Sequence, residues 1–255
     1  MASIPLHAGI IYGPVRSRRL GWSLGLNNSP TTYKLCSFNC IYCQYGWTSV
    51  CTTDITHRLA DLPSPDDFGM ALEVALRENE EIDNITFSGN GEPTLHHKFE
   101  ELVDIAKRLR DRFFPKARVG ILSNSSTAGN EAVLRGLVKL DFRIMKLDAG
   151  DINTFRRINR PCKQVSYVAI LKSLRFMENI TLQTMFIEGK TQNTGEREIK
   201  EWVERVGELK PASVQIYTLH RPAADSSLRS VPEEKLKRIA NYAEETTGVP
   251  VGAYL

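Results

Sequence analysis

The chain has 255 residues, 42% of them hydrophobic and 25% charged, the make-up of an ordinary folded protein able to bury a sizeable core. A formal net charge of +3 lacks the strongly basic balance of a dedicated nucleic-acid binder but permits an anionic substrate. No apolar run reaches membrane-spanning length, residues 1–6 lack the regions of a signal peptide, and five cysteines, three of them clustered, do not make a disulfide scaffold, so a cytoplasmic, reducing location is expected.

The N-terminal arm, residues 13–21, combines turn formers with Arg16, Arg18 and Arg19. It reads as a solvated loop or as a basic lip that meets an anionic substrate or a cofactor carboxylate. Residues 23–28 and 33–35 read as short strands around the turn Asn28-Ser29-Pro30. The cysteine segment 36–43 follows, and then a polar stretch over 48–62. Pro65, Asp66 and Asp67 open a helix that runs to about Asn79. From there the pattern alternates regularly. Strands are expected over 84–88, 118–123, 142–147, 181–187 and 213–218. Helices are expected over 98–113, 130–139, a short one from Asp151, then 165–177, 196–209 and 233–245.

Apolar strands alternating with amphipathic helices predict βα units and a parallel sheet covered by helices. With the strand before the cysteines the count is about six, fewer than a closed barrel holds, which gives a partial (β/α)6, TIM-like barrel. One domain over 1–255 is expected, with an arm at 1–30, a barrel core at 31–220 and a C-terminal helix and tail at 221–255. Chemistry in such a sheet belongs at the carboxyl ends of the strands. The unusual residues fall there: Cys36, the stretch 89–93, Ser123 and Asn124, Lys146 and Asp148, Gln183 and Glu188, and Tyr217, His220 and Arg221.

Cys36, Cys40 and Cys43 place three soft ligands on one short loop, enough to hold three irons of a [4Fe–4S] cube and leave the fourth iron open to a small molecule. Structural zinc takes four ligands, usually as two pairs, and the sequence has no second pair. Cys51 is read as an ordinary thiol, because a cube capped at every corner transfers electrons and leaves no place for a substrate. Gly89, Asn90, Gly91 and Glu92 form a glycine-rich strand end with a carboxylate able to accept from a bound ammonium. Lys146 and Asp148 share one strand face. They form an ion pair, or else Lys146 binds a substrate anion or forms a Schiff base through a depressed pKa. Cys162 is either inert or a hydrogen-atom donor to a substrate radical.

The run Cys36-Ser37-Phe38-Asn39-Cys40-Ile41-Tyr42-Cys43, the stretch 87–94 and the arm 13–21 resemble the radical S-adenosylmethionine superfamily. Together with Lys146-Leu147-Asp148-Ala149, Ile158-Asn159-Arg160-Pro161 and Gln215-Ile216-Tyr217-Thr218 they are similar to one branch of it. This is the branch of short iron–sulfur oxidoreductases related to the wybutosine-synthesising enzyme of transfer RNA. The resemblance implies two cofactors, a [4Fe–4S] cluster on Cys36, Cys40 and Cys43 and S-adenosylmethionine. It implies that Gly89, Asn90, Gly91 and Glu92 hold the methionine amino group, and that Ser123 and Asn124 reach the ribose or methionine part. Ile187 and Glu188 then pack near adenine, with Gln183 on the same strand and Tyr42 stacking close by. The implied activity is reductive cleavage to a 5′-deoxyadenosyl radical that abstracts hydrogen from substrate, fed by a donor such as flavodoxin or ferredoxin. Wybutosine-type enzymes carry further cysteines upstream for a second cluster; this chain has none before Cys36. The substrate stays open between a nucleoside, an RNA base or another small anionic molecule, and a partner protein or peptide that an activase would modify. A plain iron–sulfur electron carrier is the non-catalytic alternative.

Overall fold

Alternating strand and helix signals become, in a computed structural model that describes residues 3–17 and 19–254, a curled half-barrel with helices along its outside. Arg18 of the basic arm lies outside the described residues. Eight strands make the main sheet: β1 (Ile11–Ser17), β2 (Gly21–Leu26), β3 (Asn84–Phe87), β4 (Arg118–Ser123), β5 (Phe142–Lys146), β6 (Thr181–Met185), β7 (Ser213–Tyr217) and β8 (Val251–Tyr254). Their spatial order is their chain order. β1 pairs antiparallel with β2, and every later pairing is parallel. The helices are α1 (Pro65–Glu78), α2 (Phe99–Phe113), α3 (Glu131–Val138), α4 (Ile152–Asn159), α5 (Tyr167–Phe176), α6 (Glu196–Leu209) and α7 (Glu233–Thr247). Most starts follow from short polar caps: the Ser64 hydroxyl accepts from the Asp67 amide, and Asn130 and Asp151 cap α3 and α4 in the same way.

Strand side chains sort by period two. Leu24, Leu26, Ile85, Phe87, Val119, Ile121, Leu182, Val214 and Ile216 face outward into the helix layer and form the fully buried core with α1, α2, α6 and α7. At about 1.5–3 kcal/mol for each fully buried large apolar side chain, this layer drives the collapse. The opposite face mixes polar side chains with apolar ones such as Phe142 and Ile144. Register sets Ser23 near Thr86, Lys146 beside Gln183, Gln183 beside Gln215, and Tyr217 beside Tyr254. A parallel sheet packed on both faces reads as unbroken apolar runs, so the alternation here marks a lumen.

The parallel strands continue past the six expected, because β8 adds to β7 at one edge and β1 closes the other as an antiparallel hairpin. The strand expected over 33–35 shrinks to a two-residue ladder, Leu35–Cys36 beside Val50–Cys51, and the barrel strand before the cysteines is β2. Among the described residues no helix is long and apolar enough to cross a membrane.

Candidate active site

The cysteine loop is sewn to the end of α4. The last carbonyls of a helix have no partner within it, and here they accept from the loop: Ile41 N donates to the Ile158 carbonyl (3.0 Å) and Asn39 N to Asn159 (3.0 Å) and Arg160 (3.1 Å). Phe38 anchors the loop in the core, edge-on to Phe155. Cys43 N donates to the Cys40 carbonyl and Gly46 N to that of Cys43, so the third cysteine rides on a tight turn.

Amide groups point at two of the sulfurs. Asn124 Nδ2 donates to Cys36 Sγ at 3.5 Å, and Asn159 Nδ2 to Cys40 Sγ at 3.5 Å. Burial pushes the Cys36 thiol up, and the Cys40 thiol up to about 11. Burial works against the Lys34 ammonium, but the sulfurs of Cys43, Cys36 and Cys40 outweigh it and its pKa rises. Cys51, the register partner of Cys36, meets Cys162 thiol to thiol beside the loop.

The glycine loop packs directly on the cysteine segment. Gly91 pairs with Leu35, and a Cβ at Gly91 would lie 1.7 Å from the Leu35 carbonyl oxygen, so only glycine fits. Asn90 is fully buried: its amide nitrogen donates to the His7 and Pro30 carbonyls, while its side-chain oxygen accepts from His7 N. Glu92 is buried with four donors on its carboxylate. Oε1 accepts from Thr94 N (3.1 Å), Thr94 Oγ1 (2.6 Å) and Ser123 Oγ (2.9 Å), and Oε2 from Asn124 N (2.6 Å). Burial raises its pKa and these donors oppose the rise. The Glu92 carboxylate thereby braces Asn124, whose side chain reaches Ser37 Oγ at 2.8 Å and the Cys36 sulfur.

Below the cysteine loop lies the polar lumen. Asp148, buried, accepts from the Tyr42 hydroxyl, from Asn159 Nδ2 (2.7 Å) and from Met185 N (2.8 Å). Lys146 Nζ donates to Tyr217 Oη at 2.7 Å, stands 3.5 Å from Asp148 Oδ1, and lies 5.0 Å from the ring centroids of both Tyr42 and Tyr217. The Tyr217 hydroxyl donates on to Gln183, which donates to Gln215. Burial opposes the Lys146 charge, but Asp148 and Tyr217 outweigh it and hold the pKa above its ordinary value. That direction runs against the depressed pKa on which the Schiff-base alternative depends.

A sequence-family model described as the radical SAM superfamily matches residues 31–201. The chain belongs to the radical S-adenosylmethionine superfamily. Members of this family use a [4Fe–4S] cluster and S-adenosylmethionine. A protein of Brachyspira hyodysenteriae named GTPase Obg is 31% identical over 94% of this chain, and the chain spans 34% of that protein, about a third of its length. A UPF0026 protein of Methanocaldococcus jannaschii is 33% identical, with 94% of this chain and 72% of that protein covered. Among solved structures, TYW1 with a lysine–pyruvate adduct bound superposes with a TM-score of 0.58 at 18% identity, covering 88% of this chain and 74% of that one. At that identity the likeness concerns the fold.

Seen as a radical S-adenosylmethionine half-barrel, the site gathers most of the residues singled out from sequence. Cys36, Cys40, Cys43, Tyr42, Glu92, Ser123, Asn124, Lys146 and Asp148 form one connected set, with Gln183 deeper in the lumen. Ile187 is fully buried in a small cluster with Ile41, Tyr42, Ile158 and Met185. Glu188 is not brought in: it pairs with Lys235 at 2.6 Å and its pKa is lowered by that bond. Cys162 lies close to Cys51, and its backbone N donates to the Ser37 carbonyl at 2.9 Å. Sequence reading missed His7, Asn193 and Tyr254, named Arg19 only as part of the basic arm, and passed over Asn159 as a site residue. Asn193 is buried and ties the Asp148 and Met185 carbonyls together. A polar side chain that earns its role from distant partners leaves no local pattern to read.

Proposed function

We propose that Cys36, Cys40 and Cys43 hold the [4Fe–4S] cluster at the mouth of the half-barrel, and that the polar lumen beneath them receives the substrate of a radical reaction. The observation that carries this reading is the cysteine loop, fixed above that lumen, with side-chain amides of Asn124 and Asn159 aimed at two of its sulfurs. The donor set fits the group. Among the described residues no cluster of His, Cys, Asp or Glu is arranged to hold a single metal ion, which a cube does not require, since each thiolate ligates its own iron. Thiols whose pKa burial has raised become ligands only when a metal displaces their protons. Amide hydrogen bonds to the sulfurs, and the Lys34 cation beside them, favour the reduced, more negative state of such a centre.

When bound, the cluster and S-adenosylmethionine supply a one-electron reductive cleavage and a carbon radical able to abstract hydrogen. The chain's own residues then position and exclude water. Glu92 holds the loop of Asn124 in place, and Gly91 lets the glycine loop approach the cysteine segment. Asn159 Oδ1 is buried beside Cys40 and has no partner among the described residues, an acceptor open to a ligand N–H or O–H. Asp148 keeps Lys146 charged, so Lys146 serves as a cationic hydrogen-bond donor to an anionic or polar group. The lysine–pyruvate adduct of TYW1 has no counterpart at Lys146 in this reading, because a protonated amine is not a nucleophile.

Anaerobic reconstitution with iron and sulfide, reduction by dithionite and addition of S-adenosylmethionine test it. Formation of 5′-deoxyadenosine supports the reading, and its absence with an intact brown chromophore rejects it. Replacement of Cys36, Cys40 or Cys43 by Ala removes the chromophore and Cys51→Ala retains it; loss in Cys51→Ala overturns the three-ligand assignment.

A further inference from the structure

At the open seam of the half-barrel stands a partly buried cation that the site described above does not use. Arg19 leaves the turn between β1 and β2 and lays its guanidinium over the ring of Tyr217, 4.9 Å from the centroid, with Tyr254 at 6.0 Å. These tyrosines sit side by side on the lumen face of β7 and β8. Arg19 therefore spans the gap between the two edges of the half-barrel. Its Nη1 is buried and, among the described residues, has no hydrogen-bond partner and no carboxylate in ion-pair range. A guanidinium that merely clasped the seam against two rings would leave its edge in water. Here Nη1 is buried and, among the described residues, unmatched, which a folded protein rarely tolerates unless a ligand completes it.

We propose that Arg19 is the carboxylate clamp of the substrate chamber, and that the substrate is a small molecule bearing a carboxylate. The inference takes the lumen as the place where substrate binds and so rests on the function proposed above. Geometry selects the ligand chemistry. The guanidinium rests against Tyr217, its Nη1 is the nitrogen left without a partner among the described residues, and a planar carboxylate matches the guanidinium fork with two parallel hydrogen bonds. Tyr217 also meets the second cation. Lys146 Nζ lies 5.0 Å from the same ring centroid and bonds the Tyr217 hydroxyl. Asp148 balances Lys146, whereas nothing among the described residues balances Arg19. The acid group thus belongs on Arg19. The body of the molecule lies along Tyr217, Gln183 and Gln215 toward Lys146, with its far end beneath the cysteine loop.

The test uses the reconstituted protein under anaerobic conditions and benzoate as the probe, a carboxylate with a flat body, titrated by calorimetry at constant ionic strength. Inorganic phosphate and S-adenosylmethionine are titrated in parallel. Benzoate is expected to bind one to one, at least tenfold more weakly to R19Q, and with unchanged affinity to R16Q, which removes an exposed charge from the same arm. R19K, which keeps the charge and loses the planar fork, is expected to weaken benzoate severalfold; it decides the matter should R19Q fail to fold. Equal benzoate affinity in wild type and R19K or R19Q overturns the clamp. So does phosphate binding as tightly as benzoate, or a collapse of S-adenosylmethionine affinity in R19Q, which would give Arg19 to the cofactor carboxylate instead. Absence of benzoate binding to the wild type with 5′-deoxyadenosine formation intact rejects this inference alone; benzoate binding to the wild type without 5′-deoxyadenosine rejects the enzyme and keeps the clamp.

Discussion

Glu92→Ala separates two roles that the same residue could play. A carboxylate present only to receive a ligand ammonium would, when removed, weaken cofactor binding and leave the fold untouched. The structure instead places four donors on it: two backbone amides, of Thr94 and Asn124, and two hydroxyls, of Thr94 and Ser123. The hydroxyls can turn to other acceptors, but the amides cannot follow a missing oxygen. Each buried amide left without a partner costs about 1–3 kcal/mol. Removing a buried carboxylate returns part of its desolvation cost, so a net loss of about 2–4 kcal/mol is expected. Urea unfolding of the reconstituted and metal-free proteins at neutral pH, with the slope compared between variants, measures it. Asn124 also loses its anchor, so its bond to the Cys36 sulfur weakens and the cluster potential moves. A stability change below about 0.5 kcal/mol together with a collapse in S-adenosylmethionine affinity would refute the bracing argument.

Gly91→Ala forces a methyl group onto the Leu35 carbonyl and should cost about 3 kcal/mol or more, seen as a lower thermal midpoint and poor cluster incorporation. Burial lowers the pKa of His96 to about 4: its Nε2 bonds the Pro63 carbonyl and its Nδ1 accepts from Lys98 N, an arrangement only the neutral ring can make. Because the folded pKa lies below the unfolded one, this contribution is complete above pH 6.5 and is lost as pH falls toward about 4, by up to about 3 kcal/mol. Stability curves of wild type and His96→Asn over that window should therefore converge at the acid end, and parallel curves would contradict the assignment. Incubation with pyruvate and borohydride should leave Lys146 unmodified at neutral pH, since Asp148 and Tyr217 keep it protonated; a reduced adduct at Lys146 by peptide mass spectrometry would restore the nucleophile reading.

Much of the architecture is local and so was readable in one dimension. Apolar alternation over 118–123 and 213–218, and caps such as Ser64, Asn130 and Asp151, act within a few residues of themselves. The edges of the sheet were not readable. β8 is four residues containing a glycine, and β1 carries Gly13 and Pro14, so neither looks like a strand without the neighbour that pairs with it. Glu188, by contrast, stood at the expected strand end and yet points to Lys235.

Sequence alone determined that three thiols share one loop, that strands and helices alternate, and that polar side chains collect at one end of the strands. These depend on spacing and period. Tertiary structure decided which polar group meets which: Glu92 with Asn124, Asn159 with Cys40, Lys146 with Tyr217, and Arg19 with the rings across the open seam. A hydrogen bond or ion pair acts over a few ångströms whatever the separation along the chain, and only the register and curl of the sheet bring such partners within that distance.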